Sequence, residues 1–479
     1  MKSPCELVRS LAVMVLVSGG LGMVSAPAAN VVAIGDSLTA EYESLSDAQL
    51  NFLSNSDLAE STAYADVTVE GWESKSWVEI VAQLRPNDFN FGRYRTLSDP
   101  WTPPRLSGYA TNWGVPGVDA SLYADFVTAS VSNNPLYFTL RQPLENQLEN
   151  NVDRAVIWLG TNDFRENYGP IYDGGSPDTL INGLLEHLTE VVDFVKARNS
   201  DLQIVIVNIP DIGATPSRKI AHPDPAKRAL VSAAISAAND RIAQLAAEKG
   251  IAVADVAAVT TKLLNNTPIY SGAVQMIDDQ NADNDPHYLF TRDGLHPNTA
   301  LQVMIARSII RAFDTAYGAG IRQITDAETL AILGINPREP YLQWIAPFNV
   351  TAKGPLKDPD SDGMSNLVEY AFNLNPTVSD FASLPASRGG AVTGVTGDVS
   401  VTYIPVAARS RDTSVLVQYS INGTNWKKVP SDHVIDNGDG SFTAVVPPQS
   451  SATVFTRLRV ALVPPAGANV TIATVVPVN

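Results

Sequence analysis

Val31-Val32-Ala33-Ile34-Gly35-Asp36-Ser37-Leu38 is the stretch of the chain that decides the fold. Four apolar residues come first, and a glycine and two polar side chains follow directly. A near-continuous apolar run is typical of a strand that is buried on both faces of a parallel sheet. Functional side chains of such sheets lie beyond the carboxyl ends of the strands, so we expect Ser37 at that edge.

The same alternation continues along the chain. Further apolar runs are Ala155 to Leu159, Ile204 to Ile209 and Ile251 to Ala254. Helical patterns cover residues 179–198, 225–249 and 299–317. Alternating strands and helices predict right-handed crossovers, and hence an α/β fold of three layers around a parallel sheet.

The composition changes after about residue 320, where several prolines punctuate the chain. From Val399 onward, short runs alternate apolar and polar residues and are separated by Gly, Asn and Pro, which predicts an all-β, sandwich-like domain. We therefore divide the chain into a signal peptide, an α/β domain, a linker with an acidic loop, and a C-terminal β-sandwich. Their predicted bounds are 1–28, 29–320, 321–376 and 377–479.

Residues 41–111 carry several tryptophans and prolines and do not follow the alternation of strands and helices. They are predicted to form an insertion.

The first residues resemble an export signal. Lys2 and Arg9 precede an apolar run over 11–24, and small residues around Ala26 offer a cleavage site. A membrane anchor is the alternative, but three glycines break the run and spanning a bilayer needs about 20 apolar residues. Cys5, the only cysteine, lies within this segment, which excludes thiol catalysis in the mature chain. We expect a secreted, periplasmic or cell-surface protein without a transmembrane segment.

The net charge of the 479-residue chain is −17. An acidic surface repels phosphate backbones, so nucleic acid is excluded as a partner. Hydrophobic residues make up 45% of the chain and charged residues 17%, which is enough for a packed core. Nothing in the sequence specifies an oligomeric state.

Four segments carry candidate chemistry: Gly35 to Leu38, Asn112 to Gly117, Gly160 to Asp163, and Asp293 to Asn298. Asp293 and His296 stand three residues apart before a long helical pattern, where one turn can bring them together. The Asp can then orient the imidazole while its other nitrogen accepts a serine proton. Thr39 occupies the last position of Gly-x-Ser-x-Gly, which argues against the nucleophile elbow of an α/β-hydrolase.

In this order, the four segments resemble the signature blocks of the SGNH (GDSL) hydrolases, spread over roughly residues 30 to 320. The resemblance implies that Ser37 is the nucleophile and that Asp293 and His296 complete the triad. It also implies an oxyanion hole formed by Gly117, Asn162 and the Ser37 amide, with Gly114 as a rival for Gly117. No cofactor is needed for this chemistry.

The resemblance predicts a serine esterase that forms an acyl-enzyme. The family includes lipases, thioesterases and carbohydrate deacetylases, and the export signal and appended β domain favour a carbohydrate O-deacetylase or a small acyl esterase. An acetylated polysaccharide is the expected substrate. A lipase-like long-chain or aryl esterase is the alternative, and a non-catalytic glycan-binding or adhesion protein is an alternative of another class. Tyr403, Tyr419 and Trp426 are candidates for a sugar-binding surface or for the β-domain core.

A second signature begins at Asp358. Asp358, Asp360 and Asp362 occupy positions one, three and five of a twelve-residue loop, with a glycine at the sixth position. The further predicted ligands are the Met364 carbonyl, Asn366 and Glu369, at positions seven, nine and twelve. This is the spacing of an EF-hand calcium loop, and it resembles the isolated calcium loops of bacterial extracellular proteins. We expect a structural calcium ion; the alternative is an Asp-rich turn that caps a helix over 366–372.

Overall fold

The structure, a computed structural model, describes residues 28–42, 68–69, 72–96, 107–280, 285–384, 387–389, 399–451, 453–463 and 471–475. The predicted signal peptide, with Cys5, lies outside these residues except for its last position. Much of the predicted insertion over 41–111 also lies outside them. None of the described helices combines the length and apolarity needed to cross a membrane.

The N-terminal region alternates strands and helices. Its strands are β1 (Val31–Gly35), β2 (Thr68–Val69), β3 (Trp72–Glu73), β4 (Tyr94–Arg95), β5 (Gly108–Tyr109), β6 (Asn112–Gly114), β7 (Arg154–Trp158), β8 (Gln203–Val207), β9 (Ala252–Ala254), β10 (Tyr270–Ser271), β11 (Val274–Gln275), β12 (Ile277–Gln280) and β13 (Tyr288–Phe290). Its helices are α1 (Trp77–Leu84), α2 (Ala120–Thr128), α3 (Pro135–Asn150), α4 (Thr161–Glu166), α5 (Tyr168–Tyr172), α6 (Asp178–Arg198), α7 (Pro216–Ala221), α8 (Pro225–Lys249), α9 (Ala257–Leu264), α10 (Thr299–Tyr317) and α11 (Asp326–Ile332).

The central sheet is parallel, with the strand order β6-β1-β7-β8-β9. Alternate residues of each inner strand enter opposite cores: Val32 and Ile34 pack with α2, α6 and α8, whereas Val31 and Ala33 pack with α1 and α10. Burial on both faces explains why these strands are continuous apolar runs. The predicted three-layer α/β fold is confirmed.

One strand of this sheet was not predicted. Residues 112–114 form β6, which pairs parallel to β1 at the sheet edge, with Asn112 opposite Ala33 and Gly114 opposite Gly35. An Asn-Trp-Gly segment has no apolar run, and it becomes a strand because β1 lies beside it. The loop after β6 therefore begins at the same edge of the sheet as Ser37.

Helix α10 fixes the end of the predicted triad loop. The Asn298 side chain accepts a hydrogen bond from the Thr299 amide at 2.8 Å and begins the helix. Gly318 ends it with a φ of +59°, a conformation that suits glycine. Buried apolar residues along α10 anchor it beneath the sheet, so the loop that precedes it has a rigid attachment.

The C-terminal region is rich in antiparallel strands. It contains α12 (Glu339–Ile345), α13 (Asn366–Phe372), β14 (Ser387–Gly389), β15 (Val399–Tyr403), β16 (Thr413–Ser420), β17 (Lys427–Lys428), β18 (Val434–Asp436), β19 (Phe442–Val446), β20 (Phe455–Leu462) and β21 (Thr471–Val475). Two sheets, β14-β15-β19-β18 and β17-β16-β20-β21, share one apolar core with α12 and α13. Tyr403 and Tyr419 are buried in that core and do not form an exposed platform.

The predicted linker packs against both regions. Ile321 and Ile324 belong to the core beside α10, whereas Tyr341, Leu367 and the rest of α13 belong to the core of the two antiparallel sheets. The acidic loop therefore precedes a helix that is part of the C-terminal core. The bounds of the domains stay a prediction.

Candidate active site

Ser37 lies in the turn that directly follows β1, at the carboxyl edge of the parallel sheet. Ser37 is 8% exposed. Its Oγ is 3.0 Å from Nε2 of His296, which is 259 positions away in the chain. The turn is held by Asp36, whose Oδ1 accepts from the Leu38 amide at 2.8 Å. The hydroxyl is thereby presented to the imidazole by local backbone structure.

Asp293 and His296 are brought together by the loop between β13 and α10. The Asp293 Oδ2 contacts Nδ1 of His296. Its other oxygen accepts from the Thr291 hydroxyl at 2.7 Å and from the amides of Leu295 and His296 at 2.8 and 3.0 Å. With both oxygens engaged, the carboxylate holds the imidazole in the tautomer whose Nδ1 carries the proton and leaves Nε2 for Ser37.

This loop has a conformation that only glycine fits at position 294. Gly294 has a φ of +66°, and a Cβ on it would lie 3.1 Å from the Ser217 backbone nitrogen. The Gly294 carbonyl accepts from that same Ser217 amide at 3.0 Å. The loop is therefore clamped against α7, which fixes where Asp293 and His296 lie.

Burial lowers the pKa of His296 below its ordinary value, since the ring is removed from water that would stabilise the imidazolium. The Asp293 carboxylate at Nδ1 acts in the opposite direction and favours the imidazolium once a proton arrives. The resting imidazole is neutral near pH 7, which is the state that a general base requires.

Asn162 lies at the start of α4, immediately beyond the carboxyl end of β7. Its Nδ2 donates to the Val118 carbonyl at 2.9 Å, in the loop that follows β6. This bond uses one of the two amide hydrogens and fixes the side chain, so that the second hydrogen can serve another acceptor. Asn162 and Ser37 line the same pocket.

The two candidate glycines of the loop after β6 have different environments. The Gly114 amide already donates to Oδ1 of Asn112 at 3.0 Å, and a Cβ on Gly114 would lie 2.7 Å from the Ala40 backbone nitrogen. Gly114 therefore packs beneath the turn that carries Ser37. Gly117 is exposed and has a φ of +79°. Neither glycine lines the pocket that contains Ser37 and Asn162.

Asp163 is a positioning residue. It stands in the Gly160 to Asp163 motif, but the sequence alone assigns it no role. It is 7% exposed, and its Oδ2 accepts from the Ala120 amide at 3.0 Å. Together with the bond from Asn162 to Val118, this ties the loop carrying Gly117 to the start of α4. Burial raises the pKa of Asp163 to about 7. The signal available in the sequence was the position of Asp163 beside Asn162 at a strand end.

A pocket opens beside Ser37 and His296, and the surface facing it is almost wholly apolar. Its apolar lining includes Ile212, Val256, Val259, Phe290, Leu301 and Ile305. The cavity volume is about 50 Å³, whereas an apolar cavity of about 150 Å³ holds benzene. The space next to the serine hydroxyl is therefore smaller than that cavity.

The predicted metal ligands also lie together in part. One carboxylate oxygen each of Asp358, Asp360 and Asp362 lie within 4.8 Å of one another. Gly363 has a φ of +93° and donates its amide to Asp358 at 2.9 Å, which closes the loop. The predicted ligands of positions nine and twelve, Asn366 and Glu369, are fully buried on α13. The Met364 side chain is buried as well, and its predicted contribution is a backbone carbonyl.

The model of the GDSL-like Lipase/Acylhydrolase family matches residues 31–309, which is more than half of the chain. The chain belongs to this family. The GDSL assignment makes it a serine ester hydrolase. The matched residues include Ser37 and His296 and end within α10.

Comparison with solved structures finds weak similarities. One is phospholipase A1 from Streptomyces albidoflavus NA297, with 14% identity and a TM-score of 0.33, covering 60% of this chain and 99% of that one. Another is an extracellular lipase from Streptomyces rimosus, with 15% identity and a TM-score of 0.33, covering 60% and 100%. Similarity at this level says nothing about the substrate of this GDSL chain. No curated protein sequence matches it significantly.

Proposed function

We propose that Ser37 is the nucleophile of this esterase, with His296 as general base and Asp293 as the group that orients His296. The observation that carries the proposal is the 3.0 Å contact from Ser37 Oγ to Nε2 of an imidazole whose Nδ1 is held by a carboxylate. A serine hydroxyl is a weak nucleophile at its own pKa, so a base within hydrogen-bond reach is what activates it.

In the first half-reaction, the Ser37 proton moves to Nε2 of His296 while Oγ bonds to the ester carbonyl carbon. The tetrahedral intermediate then expels the alcohol, which takes the proton from His296. An acyl group remains on Ser37. In the second half-reaction, water gives a proton to His296 and attacks the acyl carbon, and Ser37 leaves with its proton restored.

The oxyanion of each intermediate would be stabilised by the backbone amides of Ser37 and Gly117 and by Nδ2 of Asn162. Asn162 is supported as a donor because it is already fixed through Val118. Fixed donors in a site with little water need no reorganisation when charge develops, and one such donor typically contributes about 3 kcal/mol.

For the substrate, we propose a short acyl ester, with a carbohydrate O-acetyl group as the favoured case. The apolar pocket beside Ser37 would take the acyl group, since a hydroxyl-rich alcohol gains nothing from such walls. The small volume of the pocket suits a short acyl group such as acetyl. Export to the periplasm or the medium is part of the proposal and is supported by Lys2, Arg9 and the apolar run that follows them.

Acetate release from a panel of acetylated polysaccharides tests the substrate class, with Ser37→Ala protein as the blank. We expect release by the wild type alone. Turnover of p-nitrophenyl esters from acetyl to lauroyl separates the alternatives: kcat/KM should fall sharply beyond the shortest chains. A rise toward lauroyl would favour a lipase-like esterase and would remove the proposed deacetylase function.

The pocket can be tested by enlarging it. Val259→Ala removes two methyl groups from the pocket lining and should shift the preference toward longer acyl chains. Val303→Ala is the matched control, because Val303 is buried on α10 but does not line the pocket. An equal change in both variants would mean that this pocket does not hold the acyl group.

A further inference from the structure

The loop at Asp358 adjoins a buried acid that the chain leaves unpaired. Glu369, in the first turn of α13, has no exposed surface, and neither carboxylate oxygen accepts a hydrogen bond from any residue that the structure describes. A buried charge is normally paired or bound to a metal, because removal from water is otherwise strongly unfavourable. Glu369 therefore points to a missing positive charge.

Acidic side chains surround Glu369. Four aspartates lie close enough to act on its carboxyl group. They are Asp360, Asp362, Asp380 and Asp358. Among the described ion pairs, none includes Glu369 or any of these aspartates. Two further oxygens, Oδ2 of Asp360 and Oδ1 of Asp380, are buried without a described hydrogen-bond partner.

Asp380 lies outside the twelve-residue loop and is not part of the EF-hand spacing. Its backbone amide donates to Oδ2 of Asp362 at 3.0 Å, which places it against the loop. Its own Oδ2 accepts from the Asn375 amide at 3.1 Å, so the carboxylate is oriented, and its Oδ1 is buried without a described hydrogen-bond partner.

Asn366, the predicted ligand at position nine, also holds the start of α13 in place. Its Nδ2 donates to the carbonyls of Ala352 and Gly354, both at 2.9 Å, and so ties the start of α13 to the segment before the loop. Its Oδ1 is buried and accepts no hydrogen bond from a described residue. The tether holds Glu369, one turn further along α13, against the loop.

We propose that Asp358, Asp360, Asp362, Glu369 and Asp380 bind one calcium ion, with Asp380 as a ligand from outside the loop. Calcium takes six to eight oxygen ligands in flexible geometry. These carboxylates, with the Met364 carbonyl and bidentate Glu369, supply seven oxygens. Magnesium demands a tighter octahedron and keeps its waters, so a site this rich in protein oxygens favours calcium.

The ion would stabilise the C-terminal region. Glu369 lies on α13, whose apolar residues Leu367 and Val368 pack into the core of the two antiparallel sheets. Binding would fix α13 against that core and would take no part in ester hydrolysis. The site is independent of the proposed function, because none of its residues lines the pocket beside Ser37.

Calorimetric titration of the metal-stripped full chain with calcium chloride tests the site. We expect one calcium per chain in the wild type and a Kd at least ~100-fold weaker for Glu369→Gln, since even outer-shell changes cost 10–100-fold. Asp380→Asn should weaken binding at least tenfold. Asp432→Asn, at an exposed carboxylate of the same region, is the matched control and should bind as the wild type does. No binding by the wild type would overturn the site, and an unchanged Asp380→Asn would remove Asp380 from it.

Thermal unfolding distinguishes a ligand from a residue needed only for folding. In EGTA, Glu369→Gln should unfold at a higher temperature than the wild type, because the change replaces a buried carboxyl group whose oxygens have no described hydrogen-bond partner. In excess calcium, the order should reverse, because the wild type alone gains the bound ion. A lower unfolding temperature for Glu369→Gln in both conditions would indicate an Asp-rich turn without a metal. Ester turnover should be the same in both proteins.

Discussion

The active site and the acidic loop both gather carboxylates, but they differ in what completes them. Asp293 receives three hydrogen bonds on one oxygen and the imidazole on the other, all from its own loop. Glu369 is fully buried and receives none from the described chain. Folding alone completes the hydrogen bonds of the first arrangement, and we propose that a calcium ion completes the second.

The comparison shows how buried polar groups can be interpreted. A carboxylate with both oxygens engaged is held in one position, and here Asp293 orients the imidazole of His296 that contacts Ser37. A buried carboxylate whose oxygens have no described partner, such as that of Glu369, supports the proposed calcium site. Both interpretations depend on hydrogen bonds and burial, so each can be tested by substituting one side chain.

The largest expected effect is that of Ser37→Ala. Removing the hydroxyl should lower kcat by roughly 10⁴–10⁶, as losses of a catalytic serine do elsewhere. The unfolding temperature should stay near that of the wild type, because the change is small and the turn is held by Asp36. Steady-state kinetics with a p-nitrophenyl ester measures this, and Ser176→Ala, at an exposed serine, is the control. Residual turnover within tenfold of the wild type would place the nucleophile elsewhere.

Asn162→Ala should have the next largest effect. We expect kcat to fall by about 10²–10³ with little change in KM, because the bond to the oxyanion strengthens only in the transition state. The bond to Val118 is lost as well, so the loop carrying Gly117 also loosens. A rise in KM with unchanged kcat would make Asn162 a ground-state binding residue instead.

The pH dependence of kcat/KM sharpens the interpretation of His296. The base must be neutral to accept the serine proton, so activity is present above the pKa of His296 and is lost as the pH falls through it. Because burial lowers this pKa, the acidic limb should lie below the ordinary value of 6.5. An acidic limb above pH 7 would show that Asp293 outweighs the effect of burial.

Asp163→Asn tests a carboxylate that lies between the cases of Asp293 and Glu369. Asp163 accepts a hydrogen bond from the Ala120 amide but is largely removed from water. Folding raises the pKa of Asp163 from about 3.8 to about 7, so the folded state binds this proton more tightly and the carboxyl destabilises the fold as pH rises through that range. The variant keeps an acceptor for Ala120 and removes the charge. Its free energy of unfolding should exceed that of the wild type by up to about 4 kcal/mol above pH 7, and the gain should vanish near pH 4. Denaturant titrations at the two pH values measure it, and an equal difference at both would contradict the assigned pKa.

Much of this architecture could be predicted from the sequence. Four strands of the parallel sheet are continuous apolar runs because they are buried on both faces, and helices α6, α8 and α10 were placed to within one residue. Strand β6 was missed, because an Asn-Trp-Gly segment becomes a strand only through its pairing with β1. The local sequence of a segment does not show which distant segment will pair with it in the fold.

The dependence on contacts between distant residues also explains which site residues can be predicted from the sequence. Ser37, Asp293 and His296 stand in short motifs at a strand end and a helix start, where sequence position predicts location. Asp163 acts through a backbone amide 43 positions earlier in the chain. Asp380 meets the acidic loop only because the chain after α13 turns back onto Asp362. The residues of these two contacts do not stand in a motif from which the contacts could be predicted.

Mass spectrometry after reaction with a fluorophosphonate tests most directly whether Ser37 is an activated nucleophile. The Ser37 oxygen should displace fluoride from phosphorus, with the proton passing to His296. We expect one adduct per chain, on the peptide containing Ser37, much slower labelling of His296→Ala, and no labelling of Ser37→Ala. An adduct on another residue, or equal labelling of Ser37→Ala, would contradict the assignment of the active site.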